Sequence, residues 1–300
     1  MSKVVLIDGD SILYRVAFRG EEMCDVDDIG EDDDGMDELV NQNDSVEYAY
    51  SGDHQLHLPS AYNAVDYHIE EISDAWMIDS ITGKEKAPTS IEIYMTGKPD
   101  RLHCDDIAHN FRIDYVDDYK ATRKDSRPPA GLKELWAHIF SITEIGGIPV
   151  TVRVCDGCEA DDVVVYLKKQ EPEKYLLSAL DKDVLYQSAG RHYNYGKKEF
   201  EIVKPLEAVR YLYFQMIAGD PSDGYKGVPR VGKIGADKAL KGLNTPKEMW
   251  DATLALYKQK GLGLGEAIQT GILADMHQVT AVSHEGFVTR VELEIFKARK

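Results

Sequence analysis

Cys155-Asp156-Gly157-Cys158-Glu159-Ala160-Asp161-Asp162 is the stretch on which the reading of this chain turns. An apolar run, Ile148 to Val154, precedes it and reads as a buried strand. Val163-Val164-Val165-Tyr166-Leu167 follows and reads as a short helix closed by Lys168 and Lys169. Glu159, Asp161 and Asp162 then fall in the first turn of that helix, at the carboxyl end of the strand, the edge at which open α/β sheets bind ligands. Carboxylates this close repel one another by about 1 kcal/mol per pair at ~4 Å in water and about 4 kcal/mol where partly buried. A helix dipole returns only ~0.3–1 kcal/mol per acid. The stretch alone is therefore either a solvated helix start or a cation site.

The same pattern recurs along the chain. Residues 3–8 form an apolar, β-branched run ending on Asp8; Gly9-Asp10-Ser11 makes a turn, and Ile12 to Phe18 starts a helix carrying Tyr14 and Arg15. Tyr175 to Leu180 is a further strand candidate, closed by Asp181-Lys182-Asp183. Leu206 to Ala218 reads as a helix running into Gly219-Asp220-Pro221-Ser222-Asp223-Gly224. Between these lie a helix from Ala61 to Ile81, an alternating strand from Ser90 to Met95, a helix from Leu132 to Ile145 and a hairpin over 192–203. Strand–helix alternation over 1–190 predicts an α/β fold with a mostly parallel central sheet flanked by helices. Beyond about residue 205 the pattern is mainly helical, which divides the chain into a core of 1–205 and a helical region of 206–300.

Asp8, the Glu159 group, Asp181 with Asp183, and Asp220 with Asp223 all close elements that can point to one sheet edge. Eight acids converging there need cations. Mg²⁺ or Mn²⁺ is the natural partner, because hard cations take carboxylate oxygens and no His-rich set competes. Two such ions ~3.5–4 Å apart suit phosphodiester cleavage, one activating water and the other stabilising the leaving oxygen.

The net charge of −18 argues against a nucleic-acid partner only until its distribution is read. Residues 21–38 hold eleven acids and no Lys or Arg, leaving −7 for the rest; residues 21–55 read as a solvated acidic insertion. Residues 97–131 are polar, and five basic residues (Lys120, Arg123, Lys124, Arg127, Lys133) face one acid, Asp125, between 119 and 133. Such a segment with aromatics is either a nucleic-acid contact or a solvated face. Gly227-Val228-Pro229-Arg230-Val231-Gly232-Lys233-Ile234-Gly235 permits a tight turn with outward N–H groups before a helix start, a cradle for a phosphate. Six basic residues against Asp237 over 224–247 favour that use. The four cysteines make no disulfide framework in 300 residues. Cys155 and Cys158 sit among acids that raise a thiol's pKa, and no second ligand pair completes a zinc site. Composition, 43% hydrophobic and 29% charged, is that of a globular protein with no membrane span or signal segment, expected in the cytoplasm.

Together these residues resemble the 5′→3′ exonuclease and flap-endonuclease family, which includes phage 5′ nucleases and the 5′-nuclease domains of bacterial DNA polymerases. The resemblance runs in order over most of residues 3–240 and implies a PIN-like core. It makes Asp8, Glu159, Asp161 and Asp162 ligands of one Mg²⁺ or Mn²⁺ ion, and Asp181, Asp183, Asp220 and Asp223 holders of the second. It makes Lys120 and Arg123 catalytic groups at the scissile phosphate in a basic arch over 97–131, with Tyr119 stacking on a base. Arg15, Arg112 and Lys124 become DNA contacts. So do Gly232, Lys233, Gly235 and Lys238, within a helix–hairpin–helix over 224–243. The implied protein is a monomeric, two-metal hydrolase of DNA bearing a 5′ end or 5′ flap, with RNA–DNA hybrids a further substrate class; it would work in the host cytoplasm if phage-encoded. One feature departs from the family, which carries an Asp after the second core strand where this chain reads Met95-Thr96-Gly97-Lys98. Asp100, Asp105 and Asp106 are the nearby substitutes. Two rival readings are a haloacid-dehalogenase-like phosphatase, with Asp8 as nucleophile and Asp10 as general acid, and a DNA-binding module without catalysis.

Overall fold

The structure, a computed structural model, describes residues 2–23, 47–97, 112, 120, 127–155, 158–276, 281–282 and 288–289. In chain order its elements are β1 (Lys3–Asp8), α1 (Gly9–Gly20), β2 (Glu21–Met23), β3 (Tyr48–Ser51), β4 (His54–His57), α2 (Leu58–Ile81), β5 (Pro88–Thr96) and α3 (Leu132–Ser141). There follow β6 (Glu144–Ile145), β7 (Ile148–Cys155), α4 (Ala160–Gln170), β8 (Tyr175–Ala179), α5 (Lys182–Tyr186), β9 (Gly190–Asn194), β10 (Glu199–Val203) and α6 (Pro205–Ala218). The last are β11 (Gly219–Asp220), β12 (Tyr225–Lys226), α7 (Gly232–Leu240), α8 (Pro246–Gln259), α9 (Leu264–Ala274), β13 (Ala281–Val282) and β14 (Val288–Thr289).

A seven-stranded sheet ordered β10-β9-β8-β1-β5-β7-β6 forms the centre. Its inner pairs, β9–β8, β8–β1, β1–β5 and β5–β7, are parallel, and the outermost pair on each side is antiparallel. The middle strand shows why both faces must be covered. Val4 and Leu6 enter one apolar cluster with α4 and α6 to α9, while Val5 and Ile7 enter another with α1, α2 and α3. Successive side chains on a strand face opposite ways, so a continuous apolar run is stable only between two layers of helix. The C-terminal helices thus share their core with β1, β8 and α4.

Parallel strands bring their carboxyl ends to one edge. Asp8, Thr96, Cys155 and Ala179 end β1, β5, β7 and β8 there. Gly9 opens α1 hard against β5: a Cβ at that position would collide with Met95 Sδ and Ile93 Cγ2. The close approach sets the start of α1 beside the end of β5.

The chain departs from its sequence pattern in two places. The helix expected to run to Ile145 stops at Ser141, where Ile142 turns extended, and Gly146 and Gly147, with φ of 57° and 80°, turn β6 back onto β7. The segment read as a solvated insertion, 21–55, begins and ends in a three-stranded sheet ordered β2-β4-β3, which buries Ala49 and Leu56. Glu21 of that sheet pairs with Arg127 at 2.6 and 3.0 Å, so one cation of the basic segment serves the fold. Residues 24–46 lie outside the described residues.

Candidate metal centre

Asp8 is the N-cap of α1. Its Oδ1 accepts the Asp10 N–H at 3.1 Å and its Oδ2 accepts the Ser11 hydroxyl. Burial pushes its carboxyl up to about 6, and the nearby charge of Asp181 adds to that.

Across the edge, Glu159 is the N-cap of α4, and its N–H donates to Asp162 Oδ2 at 3.1 Å. Glu159, Asp161 and Asp162 each offer a carboxylate oxygen within 4.8 Å of the others. Burial and mutual repulsion raise Asp161 well above the usual carboxylate range; burial also raises Asp162, against the pull of Arg112.

Two cations enter this half of the edge. The Arg112 guanidinium donates to Asp162 Oδ2 at 2.7 Å, Asp162 Oδ1 at 2.5 Å and Glu159 Oε2 at 3.1 Å, and its Nε donates to the Leu273 carbonyl at 3.1 Å. Only 2% of Arg112 is exposed. Lys120 Nζ donates to Glu159 Oε1 and lies 3.8 Å from Asp223 Oδ1; its backbone N–H donates to the Asp223 carbonyl at 3.3 Å.

The other half of the edge is more open. Asp181 is the N-cap of α5 and accepts the Asp183 N–H at 2.8 Å. Asp183 accepts the Tyr211 hydroxyl, and burial pushes its carboxyl up to about 6. For Asp220 burial works upward too, but hydrogen bonds from the Ser222 N–H at 2.8 Å and hydroxyl at 2.5 Å leave it below its ordinary value. Charge links the two halves: Asp181 acts on both Asp8 and Asp183, and Asp220 acts on Asp183.

Of the eight sequence-predicted carboxylates, Glu159, Asp161 and Asp162 form one tight group; Asp8, Asp181, Asp183 and Asp220 are linked by charge, and Lys120 bridges Glu159 and Asp223. These carboxylates are hard oxygen donors. Cys155 and Cys158 are free and buried, and burial pushes the Cys155 thiol far from ionisation. A donor set of this kind is able to hold a divalent cation.

The basic residues divide. Lys120 stands inside the acid edge. Arg112, read from sequence as a DNA contact, is turned inward onto Asp162, because a buried carboxylate without a partner costs more than an arginine withdrawn from water. Arg15 lines a cavity of about 390 Å³ with Arg19, His57 and His68, and its Nε is buried without a hydrogen-bond partner. Gly232, Lys233 and Lys238 are exposed on α7, beside Ile234, which is 87% exposed; Gly235 packs against Val231. Tyr119, Arg123 and Lys124, like Asp100, Asp105 and Asp106, lie outside the described residues.

Sequence reasoning left one acid out of the site. Asp10 points back from α1 to the end of β5, where both its oxygens accept the Thr96 N–H, at 3.1 and 3.2 Å. Thr96 Oγ1 in turn accepts the Ala160 N–H at 2.8 Å, tying the start of α4 to the same point. Burial and then the charge of Asp8 push Asp10 up to about 8, and Glu159 contributes in the same direction. Its one signal in sequence is the spacing Asp-Gly-Asp directly after a strand.

No protein-family model and no curated protein matches the sequence. Solved structures do match. Bacteriophage T5 flap endonuclease, in a pseudo-enzyme–product complex with DNA and metal ions, aligns over 92% of this chain and 89% of its own, with a TM-score of 0.54 at 12% identity. T5 5′-exonuclease with zinc ions bound aligns over 92% and 90%, with a TM-score of 0.52 at 13% identity. The chain has the fold of a phage 5′ nuclease. In this 5′-nuclease fold the carboxylates described above sit at the carboxyl edge of the sheet, and Arg112 and Lys120 reach that edge from the segment between β5 and α3. Among the described residues no helix is long and apolar enough to cross a membrane.

Proposed function

We propose that this protein is a divalent-metal-dependent 5′ nuclease that hydrolyses DNA at 5′ ends and 5′ flaps. One observation carries the reading. A cluster of three carboxylates, Glu159, Asp161 and Asp162, stands at the start of α4, beside the edge where parallel strands end, in a fold shared with phage 5′ nucleases.

Asp8, Glu159, Asp161 and Asp162 would hold one Mg²⁺ or Mn²⁺ ion, and Asp181, Asp183, Asp220 and Asp223 the other. When bound, such ions supply an activated water and neutralise the leaving oxygen. The remaining work belongs to the chain. Lys120, paired here with Glu159 and Asp223, would turn its ammonium to the charge on the scissile phosphate once metal ions satisfy those acids. Arg112 keeps Asp162 oriented at the start of α4 and favours its charged form against the effect of burial. Arg123 assists at the phosphate, Tyr119 stacks on a splayed base, and Arg15 and Lys124 hold the strand backbone. Gly232, Lys233, Gly235 and Lys238 grip the duplex downstream as part of a helix–hairpin–helix over 224–243, through phosphates and without reading bases. The protein acts as a monomer in the cytoplasm, and RNA–DNA hybrids join DNA as substrates.

The test is a 5′-labelled flap DNA incubated with Mg²⁺ and, in parallel, with EDTA. Cleavage in the first and none in the second is expected. Mononucleotide products would mark exonuclease action, and one released oligomer would mark flap cutting. Binding in both conditions with cleavage in neither would replace this reading with that of a DNA-binding module.

A further inference from the structure

The structure assigns Asp10 to the metal centre as a direct ligand that joins the Asp8 side of the edge to the α4 side. This rests on the nuclease reading above, since it concerns the ion that reading requires.

Two of the three strands that meet here deliver acids at or just beyond their ends, β1 through Asp8 and β7 through Glu159, Asp161 and Asp162. Between them stands β5, which ends on Thr96, and among the described residues no carboxylate of its own follows it before Arg112. Asp10 fills that gap from another element. The close packing of Gly9 on Ile93 and Met95 sets the first turn of α1 against β5, and the Thr96 N–H then fixes the Asp10 carboxylate at the end of that strand. Thr96 also holds the Ala160 N–H, so one residue sets Asp10 and the start of α4 relative to each other. The charges of Asp8 and, more weakly, of Glu159 both reach Asp10.

A strut between α1 and β5 needs only a hydrogen-bond acceptor. An asparagine supplies that acceptor without adding a negative charge beside Asp8 and Glu159. A carboxylate there is explained by a cation shared with its neighbours, and each Asp10 oxygen keeps a lone pair beyond the one that Thr96 takes.

Asp10→Asn separates strut from ligand, because its amide oxygen still accepts from Thr96. Purified wild-type and variant proteins, stripped with EDTA, would be titrated with Mn²⁺ alone and free Mn²⁺ read by electron paramagnetic resonance. The variant is expected to lose at least ~10-fold in affinity at its tightest site, while its metal-free melting temperature stays equal or rises. Unchanged Mn²⁺ affinity would overturn the assignment. If the variant fails to fold, anomalous diffraction from a Mn²⁺-soaked wild-type crystal decides: a peak within ~2.2 Å of an Asp10 oxygen supports the assignment, and peaks held only by the other acids overturn it. Failure here is distinct from failure of the nuclease reading. Wild-type protein that cuts flap DNA while Asp10→Asn binds Mn²⁺ normally defeats only this inference. A wild type that binds Mn²⁺ through Asp10 yet cuts no DNA defeats only the other.

Discussion

The acid edge has two halves, built on different terms. Around β1 and α4, the acids Asp8, Asp10, Glu159, Asp161 and Asp162 are packed among helix starts, with burial the leading cause of every upward shift resolved there. Around α5 and the turn after α6, Asp181 caps a helix, Asp183 has Tyr211, and Asp220 has two donors from Ser222. The second half is largely satisfied by its own neighbours. The α4 side of the first depends on positive charge from outside its own elements, from Arg112 and from Lys120, which also reaches Asp223 of the second half. The difference teaches which half must bind an ion tightly and which can bind one only when substrate adds ligands.

The sharpest way to break that contrast is to neutralise its centre. Asp162→Asn removes the carboxylate that both Arg112 and the Glu159 N–H engage. Cleavage of 5′-flap DNA in Mg²⁺ is expected to fall by about 10³-fold or more, the scale of losing a preorganised electrostatic group at a reacting centre. Equal activity in the variant would mean the first half holds no catalytic ion. Asp220→Asn or Asp223→Asn should cost less, on the order of 10–100-fold at low Mg²⁺. Much of that loss should return as Mg²⁺ is raised, because a half with its own hydrogen bonds keeps its shape when one acid is lost. An Mg²⁺-independent loss as deep as that of Asp162→Asn would erase the distinction between the halves.

Much of this was legible in local sequence. Apolar, β-branched runs such as Lys3 to Asp8 and Ile148 to Cys155 mark buried strands by composition alone, and the acids closing them are adjacent in the chain. Features that depend on contacts between distant segments were not. That Asp10 turns back to Thr96 follows from how α1 packs on β5, 86 residues away. The basic excess of 119–133 was visible, but the pairing of Arg112 with Asp162 and of Lys120 with Glu159 needs the acids already assembled. The sheet of β2, β4 and β3 pairs residues 21–23 with 54–56 across a long acidic stretch, and no local periodicity announces such a pairing.

A third variant stands outside the contrast and so checks it. Lys233 and Lys238 are exposed on α7. Replacing both with Ala should weaken DNA binding alike for all sequences and flatten the slope of log affinity against log salt by about 2. The Mg²⁺ concentration for half-maximal cleavage, measured at saturating DNA, should stay unchanged. A shift in that concentration would mean the turn and the metal centre are not separate devices.

The smallest effect is one of pH on the metal-free protein, and its sign differs between Asp220 and the other shifted acids. Asp8 and Asp183 are raised to about 6 and Asp10 to about 8. A carboxyl raised in the folded state contributes stability that is fully present below its unfolded value and is lost as pH rises through its folded value. Two of these three acids belong to the first half, so that half should lose stability between about pH 4 and 8. Asp220 lies below its ordinary value and behaves oppositely: its contribution is present above the unfolded value and lost as pH falls through the folded one. Metal-free protein should therefore melt several degrees higher near pH 5 than near pH 8, and saturating Mn²⁺ should cancel the difference. Asp10→Asn should remove the part of the decline that falls nearest pH 8. A metal-free melting temperature that instead climbs steadily toward pH 8 would mean these carboxylates are already solvated and charged. The first half would then need no ion to hold it together.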